Sequence, residues 1–130
     1  MSTPSAPLRV LVVDDEPLIC WSLAETLAAR GDTVIEASSG AAAMRAMSEA
    51  PTPVDVVLLD YALPDVHNLS LLSAVKRIWP TSRVILMSAH LTPDVVDEAL
   101  SRGAARVVDK PLDMGEVPAL VHAAASSSDM

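Results

Sequence analysis

Val10-Leu11-Val12-Val13-Asp14-Asp15-Glu16-Pro17 is four apolar residues in a row, then three acids, then a proline. The apolar run is rich in β-branched side chains and too short for a helix. Apolar residues at consecutive positions, without alternation, suit a strand covered on both faces. The same form returns at Val56–Leu59, followed by Asp60, and at Val84–Met87, followed by Ser88. Weaker runs stand at Val34-Ile35 and at Val107-Val108, the latter followed by Asp109-Lys110-Pro111. Between the runs the spacing turns helical. Ile19, Leu23 and Leu27 recur every four residues and share a face, and Gly31 follows as a stop. Gly40 to Ala50 is rich in Ala and Met, and Leu69 to Trp79 ends before Pro80. Thr92 is an N-cap with Pro93 at the first helical position, and that helix ends at Gly103.

Strand and helix alternating five times predict a doubly wound α/β fold, a parallel sheet with helices on both faces. Right-handed crossovers place every strand's C-terminal end on one edge, and the site belongs where strand order reverses. Asp14, Asp15, Asp60, Ser88 and Lys110 should therefore meet on one rim. Crowded carboxylates repel, so one pKa must rise unless a cation neutralises them. Oxygen ligands in an open site suit Mg²⁺. Lys110 supplies a compact positive charge and Ser88 a hydrogen-bond donor, both suited to a phosphoryl oxygen. An Asp beside Mg²⁺ is a competent nucleophile that yields an acyl phosphate.

The remaining composition narrows the class. The chain has 130 residues, 51% of them hydrophobic, which suits one domain with a real core. Its net charge of −8 argues against nucleic acid as a partner. The single cysteine, Cys20, excludes an internal disulfide framework. No apolar stretch is long enough to span a membrane, and MSTPSAPLR does not read as a signal peptide, so a cytoplasmic protein is expected. Residues 1–7 read as a leader, 8–125 as the domain and 126–130 as a tail.

Four motifs in order, VLVVDDEP (Val10–Pro17), VVLLDYALPD (Val56–Asp65), VILMSA (Val84–Ala89) and GAARVVDKP (Gly103–Pro111), resemble the CheY-like receiver domain of two-component response regulators. The resemblance covers about Leu8 to Val121. It implies five strands in the order 2-1-3-4-5. It also implies Asp14 and Asp15 as the acidic pair, Asp60 as phosphoacceptor, Ser88 as the hydroxyl that bonds the phosphoryl group, and Lys110 as the family's lysine. Mg²⁺ would be held by Asp15, Asp60 and the backbone carbonyl of Ala62, with Asp14 completing the acidic pair. The implied partners are a sensor histidine kinase or phosphotransfer protein as donor and a downstream protein target, with homodimerisation left open. Such a protein is no enzyme beyond its own phosphorylation and dephosphorylation. No DNA-binding output segment fits after Ala125, so a stand-alone regulator signalling through its own surface is expected.

Several positions depart from the family pattern. Val107 stands three residues before Lys110, where an aromatic ring usually switches; coupling without that ring, or weaker coupling, is expected. Asn68 replaces the usual glycine eight residues after Asp60, a swap that Asn tolerates in a left-handed turn. Asp113 with Glu116 resembles a capping box, yet Pro118 would then fall inside the helix. A shortened or irregular last helix starting at Pro118 is expected. Ala62 and His90 stand where the family tunes acyl phosphate lifetime, and His90 positions water only if it points inward. Trp21 and Trp79 are expected to be partly buried, Met44, Met47 and Met87 to fill the core, Cys20 to pack as a small hydrophobe, and His67 and His122 to lie on the surface. Two other functions compete. One is a phosphorylation-independent interaction module with the same fold, favoured by Val107. The other is a Mg²⁺-dependent phosphatase, disfavoured because Asp14-Asp15-Glu16 lacks an Asp-x-Asp spacing.

Overall fold

The apolar runs are strands and the periodic segments are helices. The computed structural model describes residues 6–67 and 69–126. The elements are β1 (Arg9–Val13), α1 (Pro17–Ala28), β2 (Thr33–Ala37), α2 (Gly40–Glu49), β3 (Val56–Asp60), α3 (Ser70–Ile78), β4 (Arg83–Ser88), α4 (Pro93–Ser101), β5 (Arg106–Asp109) and α5 (Val117–Ser126). All strand pairs are parallel, in the order β2-β1-β3-β4-β5.

Consecutive apolar residues are needed because each strand feeds two cores. Leu11 and Val13, Val57 and Leu59, and Val84 and Leu86 face one side, against Ala43 and Met47 of α2, Leu72 and Val75 of α3 and Ala99 of α4. Val10 and Val12, Val56 and Leu58, and Ile85 and Met87 face the other, against Cys20, Leu23 and Leu27 of α1 and Val121 of α5. A fully buried Leu or Val contributes roughly 1.5–3 kcal/mol against leaving it exposed. A one-residue slip of register would exchange the two cores.

Helix ends follow the local chemistry. Ser39 Oγ accepts from the Ala42 N–H, and Thr92 Oγ1 from the Val95 N–H, so both hydroxyls cap orphan amides. Gly31 (φ +94°) and Gly103 (φ +105°) take the left-handed conformation where α1 and α4 turn back to the sheet. The last helix begins at Val117, one residue before the Pro118 start that the sequence suggests. Pro118 is then the second helical residue, where its missing N–H costs nothing. An irregular turn precedes it. Asp113 Oδ1 accepts from the Gly115 N–H (2.9 Å) and the Asp113 carbonyl from the Glu116 N–H (2.9 Å), a turn in place of the capping box.

Some side chains fall elsewhere than expected. Trp79 is fully in the core, while Trp21 is 56% exposed because α1 buries the stripe Cys20, Leu23, Ala24 and Leu27 and Trp21 lies off it. Met47 and Met87 are core residues, but Met44 is exposed on α2. His67 is exposed. His122 is not a free surface residue: its Nε2 lies 2.9 Å from Oδ2 of the buried Asp32. Cys20 packs as a hydrophobe; burial first, then the Glu36 carboxylate, pushes its thiol up to about 12, so it stays protonated. Asn68 lies outside the described residues, as do positions 1–5 of the leader and 127–130 of the tail.

Candidate functional site

Strand order reverses between β1 and β3, and the site forms where their C-terminal ends emerge. The register pairs Val13 with Leu59, so the residues that follow, Asp14 and Asp60, emerge side by side. Asp14 is fully buried, its N–H donating to the Ala37 carbonyl at 3.1 Å; Asp60 is buried at the end of β3; Asp15 is exposed. One carboxylate oxygen from each of Asp14, Asp15 and Asp60 lies within 4.8 Å of the other two.

Lys110 enters from the other side. Its backbone N–H donates to the Ser88 carbonyl (2.9 Å), which fixes the loop after β5 against the end of β4, and its bond to Pro111 is cis. Its Nζ lies 2.9 Å from Asp14 Oδ2, 3.1 Å from Glu16 Oε1 and 3.4 Å from Asp60 Oδ2. Ser88 is buried one residue past the Asp60–Met87 register pair, and its Oγ accepts from the His90 N–H at 3.2 Å. Ala62 donates its N–H to Asp60 Oδ1 (3.1 Å). The Tyr61 N–H is bonded to the Met87 carbonyl (2.8 Å), which holds the start of the loop on β4. The structure thus brings Asp14, Asp15, Asp60, Ser88 and Lys110 to one rim, with Ala62 exposed beside them and His90 exposed at its edge.

Three carboxylates face one ammonium, and the titration of the cluster reflects it. Asp60 is raised above the ordinary 3.8 by burial, with Asp14 adding to the rise; the Ala62 N–H and Lys110 pull against it. Burial acts to lower Lys110, but Asp14, Glu16 and Asp60 outweigh it and the net shift is upward, so this ammonium stays charged. The buried Asp14 Oδ2 accepts no well-directed hydrogen bond; its 2.9 Å contact with Lys110 is one of charge. An under-satisfied buried oxygen in an all-oxygen cluster fits a hard divalent cation bound at the open, Asp15 side.

Three contacts were missed in the sequence. Glu16 joins Lys110, although it stands in the acidic run and only its role went unassigned. Asp65 caps the start of α2, accepting from the Gly40 and Ala41 amides. Asp32 and His122 pair across 90 positions, for which no local pattern exists.

A family model described as the response regulator receiver domain matches residues 10–122. Curated relatives include the transcriptional regulatory protein KdpE of Mycobacterium tuberculosis, 44% identical over 115 residues, which are 88% of this chain and 50% of KdpE. The DNA-binding transcriptional regulator NtrC of Escherichia coli is 38% identical over 117 residues, 90% of this chain and 24% of NtrC. The chain therefore spans half or less of these two relatives. Among solved structures, the receiver domain of the response regulator NarL from Mycobacterium tuberculosis superposes with a TM-score of 0.82 at 33% identity, covering 95% of this chain and 100% of that one. No helix among the described residues is long and apolar enough to cross a membrane. With the acidic rim at the strand ends and a family match over nearly the whole sheet, the chain belongs to the response regulator receiver domains of two-component signalling.

Proposed function

We propose that Asp60 accepts a phosphoryl group from a sensor kinase phosphohistidine, or from a phosphotransfer protein, and that the phosphorylated chain changes its binding to a downstream protein. The observation that carries this is Asp60 itself: a buried carboxylate at the switch point, with the Ala62 N–H on one oxygen and Lys110 3.4 Å from the other. In the transfer, an Asp60 oxygen attacks phosphorus, the P–N bond breaks, and the histidine imidazole leaves with the electron pair and takes a proton. Lys110 neutralises charge on the phosphoryl oxygens and the Ser88 hydroxyl donates to one of them. Water later attacks the acyl phosphate, releasing inorganic phosphate and restoring the carboxylate. Bound Mg²⁺ would supply charge neutralisation between the carboxylates and the phosphoryl group, held by Asp15, Asp60 and the Ala62 carbonyl with Asp14 beside them. Catalysis ends with the chain's own phosphorylation and dephosphorylation, and the reading places the protein in the cytoplasm with its donor.

The donor protein must cover this rim. Leu18 (72% exposed) and Trp21 (56% exposed) stand three residues apart on α1, which begins directly after the acidic run, and offer it an apolar anchor. A protein target fits the net charge of −8 better than nucleic acid does. The test is incubation with acetyl phosphate and Mg²⁺ followed by intact mass. A gain of one phosphoryl group, absent in Asp60→Asn, is expected; no gain with any donor defeats the reading.

Val107 favours a second reading, a phosphorylation-independent interaction module. It is half-buried against the core that β3, β4 and α4 share, with no ring to report on Ser88. Partner binding that persists unchanged in Asp60→Ala would select it.

A further inference from the structure

The loop that follows Asp60 is fastened at both ends. At its start, Tyr61 is bonded to the Met87 carbonyl and Ala62 to Asp60 Oδ1. Leu63 then drops into the core. At its far end Asp65 reaches across to another element. Its Oδ1 accepts from the Gly40 N–H (2.8 Å) and its Oδ2 from the Ala41 N–H (3.0 Å), the first two amides of α2. These amides have no partner inside the helix, and the helix dipole favours a negative charge there. The two bonds, Gly40 before Ala41, hold the Asp65 carboxyl below the ordinary range, so it remains a charged acceptor at neutral pH. Val66 lies so close to Gly40 that a Cβ at that position would overlap its Cγ1 and also crowd Asp65 Oδ1. Glycine is needed there for close approach, and the approach is what lets the carboxylate straddle both amides.

The two bonds cap α2 and at the same time tie the far end of the loop to it. What lies between is the short stretch that carries the Ala62 N–H to Asp60. We propose that Asp65 is a positioning residue: by clamping the 61–66 loop to the start of α2, it holds the Ala62 amide on Asp60 and so fixes the Asp60 carboxylate in its cation-binding orientation. The inference rests on the cation reading above and deepens it by assigning a residue outside the acidic cluster to that site.

The experiment compares Asp65→Ala with Ser39→Ala in the full chain, without phosphodonor. Ser39 caps the same helix end through the Ala42 amide, within α2 itself, so both variants lose an α2 cap and both should melt somewhat lower. Mg²⁺ affinity is measured by calorimetric titration, and amide exchange at Ala62 is followed without metal. Asp65→Ala is expected to bind Mg²⁺ about tenfold more weakly, the scale of an outer-shell loss, with faster exchange at Ala62. Ser39→Ala should match the wild type in both. Asp65→Asn, which keeps the shape and one acceptor oxygen, should lose less, and it carries the test if Asp65→Ala does not fold. Unchanged Mg²⁺ affinity in the Asp65 variants, or an equal loss in Ser39→Ala, overturns the proposal alone. A wild-type chain that binds no Mg²⁺ overturns the cation reading and this inference with it.

Discussion

Asp60 carries a charge that its surroundings oppose. Its carboxyl is raised above 3.8, chiefly by burial. Below 3.8 it is protonated whether the chain is folded or not. As pH rises through the window between 3.8 and the higher folded value, the unfolded chain loses its proton first, and stability falls. Above that window the full cost stands. Asp60→Asn removes it. In Mg²⁺-free buffer above that window the variant should be more stable than wild type, because burial no longer opposes a charge there and the repulsion from Asp14 is gone. Its urea midpoint should also lack the fall that wild type shows as pH climbs through that window. Equal or lower stability of the variant would mean that Lys110 already balances the charge. Lys110→Met has the opposite sign. It leaves Asp14 and Asp60 without their cation, and a buried pair broken from one side costs roughly 3–5 kcal/mol. Added Mg²⁺ should restore much of that loss, since a ligand of the folded state stabilises it by mass action. A Lys110→Met chain as stable as wild type without metal would show that water already screens the cluster.

The three inner strands were legible because burial on both faces writes itself as consecutive apolar residues at Val10–Val13, Val56–Leu59 and Val84–Met87, while the half-exposed edge strands β2 and β5 left only the pairs Val34-Ile35 and Val107-Val108. The site residues were legible for a related reason: in a parallel sheet the residue that ends each strand is carried to one rim by topology. Helix faces were harder. In α1 the Ile19, Leu23, Leu27 spacing locates the buried stripe but does not say how far it extends sideways, so it leaves the 56% exposure of Trp21 unannounced. In α2 the run Gly40–Ala43 permits several faces to pack, and Met44 fell on the outside. An exposed indole on a helix that already buries its stripe contributes little to folding. Trp21→Ala should therefore change stability by less than about 0.5 kcal/mol. If Trp21 anchors the phosphodonor protein, loss of its contact should slow transfer from the cognate kinase at least about tenfold, the equivalent of 1.4 kcal/mol. Transfer from acetyl phosphate, which needs no docking surface, should keep its wild-type rate. Equal slowing with both donors would place Trp21 in support of the site instead.

Across the whole molecule, contacts between distant segments are those no local pattern announces. Asp32 follows α1, its side chain is fully buried, and it gathers three parts of the chain. Oδ1 accepts from the Leu8 N–H (2.8 Å) at the entry to β1, and Oδ2 lies 2.9 Å from His122 Nε2 on α5. The sequence shows an Asp after a glycine and a His on a short helix, each commonplace alone. Only the order of the sheet brings them together, since α1 and α5 share the face over β1 and β3. A buried carboxylate left with one amide is costly, so His122→Ala should lower stability by about 1–3 kcal/mol at pH 7. Part of that loss belongs to the stranded carboxylate and not to the histidine. Asp32→Asn made alone and together with His122→Ala separates the two. If the pair acts as one brace, the double variant should lose less than the sum of the singles, by an interaction energy of roughly 0.5–3 kcal/mol. Urea unfolding of all four chains measures it, with unchanged denaturant slopes confirming that one folded state is compared. Additive losses would mean that α5 is held by Val117, Val121 and Ala124 in the core, and that the contact between Asp32 and His122 merely fills a polar gap beside them.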